Sequence, residues 1–266
     1  LEDEDPCFHV EHNVTLNETI IRVLGDLHLD VLLEQLKNKY NVEVETRPPR
    51  IAYCETITRP AEGHYRHKKQ TGGAGQFGEV YLRIEPLPTG EGFKFASAVV
   101  GGSIPSQYIP AVEAGVRQVM KSGALYGFPM QDVSVTVYDG KHHSVDSKEI
   151  AFVQAGKKAF LSAVKNAKPI VMEPIVNMEI SVPTDSAGGV TGDLSSMRGI
   201  ITGTEALPDN RMMISGQVPL KEAQGYHSRL KSLTGGDGSF TMDFSHYAEV
   251  PREALDLVPE QSKLTG

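Results

Sequence analysis

The sequence has no tryptophan and only two cysteines, Cys7 and Cys54. Two thiols close at most one disulfide and build no metal cluster, which excludes a disulfide-stapled secreted module, and both are expected to be reduced cytosolic thiols. Long hydrophobic runs are also missing. Stretches such as Ala96–Val100 fall far short of the roughly 20 apolar residues that span a bilayer, so no membrane contact is expected. The opening Leu1-Glu2-Asp3-Glu4-Asp5 is acidic, the reverse of a secretory leader. No initiator methionine precedes it, and the chain reads as a fragment of something longer. The motif G-x-x-x-x-G-K-[ST] occurs nowhere, so no P-loop for nucleoside triphosphate hydrolysis is present.

What is there suits a folded protein: 266 residues, 39% hydrophobic and 23% charged, enough for two or more small cores. The formal net charge of −8 hides a partition. Residues 1–46 carry 3 Lys and Arg against 11 Asp and Glu, and residues 171–266 carry 7 against 13. Residues 47–170 carry 16 against 10, a net +6. A basic middle between two acidic flanks hints at a polyanion held by the middle part, while on charge alone a segment of this size reaches such a balance commonly by chance.

Residues 8–14 and 18–24 read as two strands joined through Leu16-Asn17. Gly25-Asp26 is expected to cap a helix with Leu29, Leu32, Leu33, Leu36 and Tyr40 on one face. Pro48-Pro49 forms a stiff linker. Strands follow at 51–57, 62–70, around Val80, Leu82 and Ile84, and at 93–99. A helix then buries Ile109, Val112, Val116, Val119 and Met120. Val133, Val135 and Val137 alternate as a strand that ends in a polar loop, Tyr138–Ser144. Asp146 with Glu149 matches a capping box for a helix carrying Phe152, Ala155, Ala159, Phe160 and Ala163. The last part has a β-α-β-β-α-β order. Val176, Met178, Ile180 and Val182 alternate, and Thr184-Asp185 caps a helix with Val190, Leu194 and Met197. Strands near 199–206 and 211–218 flank Pro208-Asp209-Asn210, a helix runs from Pro219 to about Leu233, and a final strand covers 239–249. This is the split βαβ plan of ferredoxin-like domains. The remainder, to residue 266, has no periodicity.

Several patterns suggest chemistry. Gly73-Ala74-Gly75-Gln76-Phe77-Gly78-Glu79-Val80 spells G-x-G-x-x-G-x-V, but no H-R-D or D-F-G accompanies it, and Asp243-Phe244-Ser245 lacks the glycine. A dinucleotide fingerprint must open a helix, whereas a strand is expected here, so a glycine-rich hairpin or bulge is the better reading. His64 and His67 fall on opposite faces of a strand, which disfavours a shared metal. His142 and His143, after Lys141, form either a solvated turn or a finger that contacts phosphates or bases. Asp139 and Asp146 have no partner nucleophile or base.

Several segments in order resemble the C-terminal half of bacterial elongation factor G. Asp5-Pro6 and Leu24-Gly25-Asp26-Leu27-His28-Leu29-Asp30 are similar to the family's third domain. Gln70–Gly78, Gly101-Gly102-Ser103-Ile104-Pro105, Tyr108-Ile109-Pro110-Ala111-Val112, Asp139-Gly140, His143, Val145-Asp146-Ser147 and Ala151-Phe152 resemble its fourth. Glu173-Pro174, Gly192-Asp193-Leu194, Arg198-Gly199, Val218-Pro219-Leu220, Gly225-Tyr226, Gly238-Ser239-Phe240 and His246-Tyr247 resemble its fifth.

The resemblance implies an α+β chain of three small domains. These are a partial ferredoxin-like domain III (1–46), a domain IV like domain 2 of ribosomal protein S5 (47–170) and a ferredoxin-like domain V (171–250), with a tail at 251–266. It implies no catalytic residue, metal or cofactor in this chain, with GTP and magnesium held by domains of the parent outside it. It further implies a cytoplasmic monomer that meets the ribosome, through decoding rRNA of the small subunit, factor-binding rRNA and stalk proteins of the large subunit, tRNA and mRNA. The residues expected to meet RNA are Gly101, Gly102, Ser103, Ile104, Pro105, Asp139, Gly140, Lys141, His142, His143 and Asp146. Family members often have Lys where Val99-Val100 stand, Arg for Ala74, Tyr for His142 and Asp for Ser144, which suggests a divergent paralogue. A recycling or ribosome-protection factor of the same superfamily is the main alternative; a nucleotide-binding enzyme and a protein-interaction module are others.

Overall fold

The computed structural model describes residues 7–13, 18–23, 25–70, 75–256 and 258. The expected turn at Leu16-Asn17, the pair Asp5-Pro6, Leu24, the Thr71–Ala74 part of the glycine-rich loop and most of the tail lie outside the described residues.

Strands β1 (His9–Asn13) and β2 (Glu18–Arg22) pair antiparallel, with Val10 opposite Ile21. Helix α1 (Asp26–Tyr40) has Gly25 as its N-cap, which offers no side chain, and ends where Asn41 turns left-handed. Of its expected inner face Leu32 is buried, while Tyr40 is exposed. Residues 41–53 have no regular structure. Strands β3 (Cys54–Ile57), β4 (Ala61–Lys69), β5 (Gln76–Pro86) and β6 (Phe93–Ser97) follow. Helix α2 (Ile109–Ser122) precedes β7 (Val133–Lys141), and helix α3 (Glu149–Asn166) precedes β8 (Pro169–Pro183). Then come α4 (Ala187–Ser196), β9 (Ile200–Leu207), β10 (Arg211–Pro219), α5 (Leu220–Ala223), α6 (Tyr226–Thr234), β11 (Ser239–Glu249) and α7 (Arg252–Leu255). No helix among the described residues is long and apolar enough to cross a membrane.

The described chain divides into two compact units, one built on Tyr53–Glu173 with the residues from Tyr247 on, the other on Pro174–His246 with the residues up to Ala52. In the first, a sheet of order β4-β5-β7-β6 has one parallel pair, β6–β7, connected through α2. Period-two alternation sends Val80, Leu82, Ile84, Val133, Val135 and Val137 to one face, all 0% exposed. There they meet Val112 and Val116 of α2 and Phe152, Ala155, Ala159, Phe160 and Ala163 of α3. Each large apolar side chain so buried contributes about 1.5–3 kcal/mol, which makes this sheet a firm base for whatever its ends carry.

Strand β3 pairs antiparallel with the Pro169–Met172 start of β8 within the first unit, and strands β8 to β11 run in the order β11-β8-β10-β9. Renumbered from its own first strand, this is the 4-1-3-2 order of the split βαβ plan. Val176, Met178, Ile180 and Val182 pack with Val190 and Leu194 of α4 and with Tyr226 and Leu230 of α6.

Local details depart from expectation. The helix expected from Pro219 to Leu233 is two pieces, because Gln224 is extended and Gly225 is left-handed. Thr184 does not cap α4: its hydroxyl donates to the Asn210 carbonyl, tying the end of β8 to the turn between β9 and β10. Asp146 forms no capping box either. α3 begins at Glu149 behind Lys148, and Asp146 is committed to another contact described below.

Candidate nucleic-acid interface

One end of the β4-β5-β7 ladder gathers most of the residues expected to meet RNA. In β4–β5 pairing Lys68 faces Phe77 and Lys69 faces Gln76. In β5–β7 pairing Glu79 faces Lys141 and Val80 faces Gly140. The register then slips, Tyr81 facing Asp139 and Leu82 facing Val137, so Tyr138 is the extra residue of a bulge that sharpens local twist. Tyr138–Lys141, expected as loop, are therefore strand, and the turn is confined to the residues after Lys141. Hydrophobic alternation could not reveal this, since Asp139 and Lys141 present polar chains to solvent.

The turn is tied down by short polar contacts. His143 N–H donates to Ser147 Oγ at 2.8 Å, and Ser147 Oγ donates to the Phe77 carbonyl at 3.1 Å. Phe77 N–H donates to the Asp146 carbonyl at 2.9 Å, and Gly75 N–H donates to Asp146 Oδ1 at 3.2 Å. Asp146 thus anchors the start of β5 instead of a helix. His143, an exposed residue, has its Nδ1 within 3.3 and 3.2 Å of the backbone N–H groups of Val145 and Asp146 and 3.6 Å from Asp146 Oδ2.

The second segment, Gly101–Pro105, meets the first. His142 Nδ1 lies 3.2 Å from the Ser103 carbonyl, and Ile104, 2% exposed, packs over Gly140. Gly101 and Gly102 have φ of +70° and +68°, a region that costs side-chain-bearing residues about 1–2 kcal/mol each. That requirement, rather than crowding, explains the glycine pair, since a Cβ at either would meet nothing within 4 Å. Ser103 Oγ is buried without a hydrogen-bond partner among the described residues. Val100 and Val145, 84% and 75% exposed, stand on the same two turns.

Together they border a cleft of about 700 Å³ that Ser103, Asp139, Gly140, Lys141, His142, His143 and Asp146 share with Arg66, Lys68, Lys69, Gln70, Gly75, Gln76 and Phe77. Arg66, Lys68 and Lys69 were not singled out from sequence, although they belong to the basic segment; the strand ladder brings them beside the turns. Arg66 lies over the Phe77 ring at 5.3 Å and 3.7 Å from Glu79 Oε2. Glu79 is 5% exposed, and its Oε1 pairs with His64 Nε2 at 2.8 Å and accepts Tyr81 OH at 3.2 Å. Burial first, and then the Glu79 carboxylate, push the Tyr81 phenol above its ordinary range. His67 bonds Gln76 instead, at 3.0 Å, so the two histidines of H-x-x-H have separate partners. Among the described residues no group of three His, Cys, Asp or Glu could hold a metal ion. Gly75–Gly78 run into a strand, not a helix, and the kinase-like spelling has no helix dipole to offer a phosphate.

An array of cations, imidazoles and backbone turns at the edge of a rigid sheet can hold phosphates and meet bases. Among its described residues no nucleophile stands within hydrogen-bond distance of a side-chain base.

Comparison with known proteins identifies the family of the chain. The family models "Elongation factor G, domain III", "Elongation factor G, domain IV" and "Elongation factor G C-terminus" match residues 1–48, 49–168 and 170–258. An elongation factor G-like protein of Thermotoga maritima is 43% identical over 263 residues, covering 99% of this chain and 38% of the relative. Elongation factor G of Alteromonas mediterranea is 45% identical over 260 residues, covering 98% of this chain and 37% of the relative. A crystal structure from Thermus thermophilus superposes with a TM-score of 0.81 at 39% identity, over 97% of this chain and 38% of that one. The chain therefore spans less than two-fifths of the proteins it matches, and it belongs to the elongation factor G family, whose domains III, IV and C-terminal domain it carries.

Proposed function

We propose that this chain is the ribosome-binding, RNA-facing half of a translational GTPase, and that it acts mechanically. GTP, with its magnesium, is hydrolysed in parts of the parent protein outside this chain. The domain IV apex enters the decoding region of the small subunit and promotes tRNA–mRNA translocation by opposing backward slippage of tRNA, while the C-terminal ferredoxin-like domain meets rRNA and stalk proteins of the large subunit. The observation that carries this reading is the meeting of Gly101–Pro105 with the His142–Asp146 turn at one end of a rigid sheet, beside Arg66, Lys68, Lys69 and Lys141. Net +6 over residues 47–170 supports the same partner electrostatically. We place the parent in the cytoplasm, as a monomer, and read it as a divergent paralogue.

The test is His143→Ala in the full-length parent. Translocation should slow by at least about tenfold, the loss of a charge-assisted or stacked contact, while ribosome-stimulated GTP hydrolysis stays near the parent rate. Equal loss of both activities, or loss of neither, overturns the assignment. Subunit splitting in place of translocation would identify a recycling factor.

A further inference from the structure

The strands β1 and β2 with helix α1 belong to the same compact unit as Pro174–His246. Yet among the described residues neither buried apolar cluster contains a side chain that precedes Ile57. Polar contacts around Arg47-Pro48-Pro49-Arg50 join the two parts. Each proline ring fixes φ near about −65°, and the residue before a proline is extended. Such an extended chain repeats every three residues, so Arg47 and Arg50 project to the same side. Both reach Glu18 of β2. Its Oε1 accepts Arg47 Nη2–H at 2.9 Å and Arg50 Nε–H at 2.6 Å, and its Oε2 accepts the Arg50 backbone N–H at 3.2 Å. From the C-terminal domain, the side-chain amide of Gln224 donates to the Pro49 carbonyl at 2.6 Å.

This contact gives the break between α5 and α6 a cause. Gln224 is extended and Gly225 left-handed, and a Cβ on Gly225 would meet nothing within 4 Å. Space therefore does not call for glycine there; the reversal that turns Gln224 toward Pro49 does. Beside it, Gly25 at the start of α1 faces the His227 ring of α6, an added Cβ lying 3.5 Å from its Nε2. We propose that Arg47–Arg50 is a releasable strap with two anchors, Glu18 and Gln224, and that it docks β1, β2 and α1 on the C-terminal domain. Parts that share an apolar core separate only on unfolding. Parts tied by a few hydrogen bonds, each worth about a fivefold shift in an equilibrium, separate while the C-terminal domain stays folded. The arginine side chains, 72% and 49% exposed, already stand largely in water, which lowers the cost of release.

Native-state trypsin digestion of the 266-residue chain tests this. Proline after Arg47 blocks cleavage there, so the reporter is the Arg50–Ile51 bond, cut from the released state. Gln224→Met keeps the length of the side chain and removes the donor, while the Glu18 contacts of Arg47 and Arg50 stay in place. It should speed cleavage about fivefold and quicken amide hydrogen exchange in β2 and the first turn of α1. Exchange in β8 and β10 should hold at the wild-type rate. Rising salt should speed cleavage of the wild type by screening the Glu18 pairs, after correction for trypsin's own response on a free peptide of the same sequence. Glu18→Gln should cut faster at low salt and lose that salt dependence. Unchanged cleavage and exchange in Gln224→Met overturns the proposal. Acceleration that extends equally to β8 and β10 also overturns it, because the change is then in the stability of the whole domain.

Discussion

A Cβ added to Gly140 would lie 2.5 Å from the Ile104 side chain and 2.3 Å from the Glu79 carbonyl. One hydrogen atom in place of a methyl is what lets the Gly101–Pro105 turn seat on the end of β7. Gly140→Ala should destabilise this unit by about 1–3 kcal/mol through overpacking and lift Ile104, with loss of the His142–Ser103 contact. Urea unfolding and the His142 imidazole resonances check both; a change under about 0.5 kcal/mol, the range of ordinary surface substitutions, would mean the turns are not coupled here.

Glu55, 0% exposed, is a buried carboxylate that organises a loop. Its Oε2 accepts the N–H groups of Ala124 and Leu125 at 3.2 and 3.0 Å, and its Oε1 those of Tyr126 and Phe128 at 3.0 and 3.1 Å. Glu55→Ala strands all these donors and should cost at least about 3 kcal/mol. Glu55→Gln keeps one accepting oxygen and should cost less. Denaturation midpoints of the two variants should fall in that order.

Stability should decline in strong alkali. Burial, helped by the charges of Asp132 and Glu55, pushes the Cys54 thiol from 9.0 up to about 12. Burial and Asp193 push the Tyr226 phenol from 10.0 up to about 12, against the opposing Arg229. The unfolded chain releases both protons first, so above pH 9.0 for Cys54 and 10.0 for Tyr226 the native state binds more protons than the unfolded one. Their stabilisation is complete below those values and lost as pH rises toward about 12. Thermal melts across this range read the decline. At about pH 8, below the ordinary thiol range, a thiol reagent should leave Cys54 unmodified until the protein unfolds.

Lys68 and Lys141 border the cleft from β4 and β7. Replacing either with Ala should weaken RNA binding almost uniformly across sequences and lower the slope of log K against log salt by about one per lost phosphate contact. Binding isotherms at several salt concentrations measure it. An unchanged slope would place the phosphates elsewhere.

Much of the fold was written in short-range patterns. The valines of β7 alternate and all point inward, and the Phe152–Ala163 stripe of α3 lies against the sheet, because burial follows the 2.0 and 3.6 periodicities of the backbone. The misses fall where a polar residue had several partners to choose from. Asp146 with Glu149 spells a capping box, yet Asp146 takes the N–H of Gly75, 71 residues away in the chain. Thr184 likewise prefers Asn210. Nothing local ranks such choices, since every candidate bond has similar energy. Gly225 broke the last long helix by adopting a positive φ, a freedom glycine has at any position but uses only where packing asks for it.

The amino-acid order alone determined the α+β character, the alternating strands, the inner faces of α2 and α3, the lack of a P-loop and the family, since periodicity and motif spelling are properties of neighbours along the chain. Tertiary structure decided that Arg66, Lys68 and Lys69 stand beside the apex turns, that Tyr138 bulges, that Glu55 and Glu79 are buried, and that the two apex turns meet where His142 reaches the Ser103 carbonyl. Those outcomes depend on strand register and on contacts between residues far apart in sequence, and a one-residue slip of β5 against β7 would send the side chains of the slipped strand to the other face.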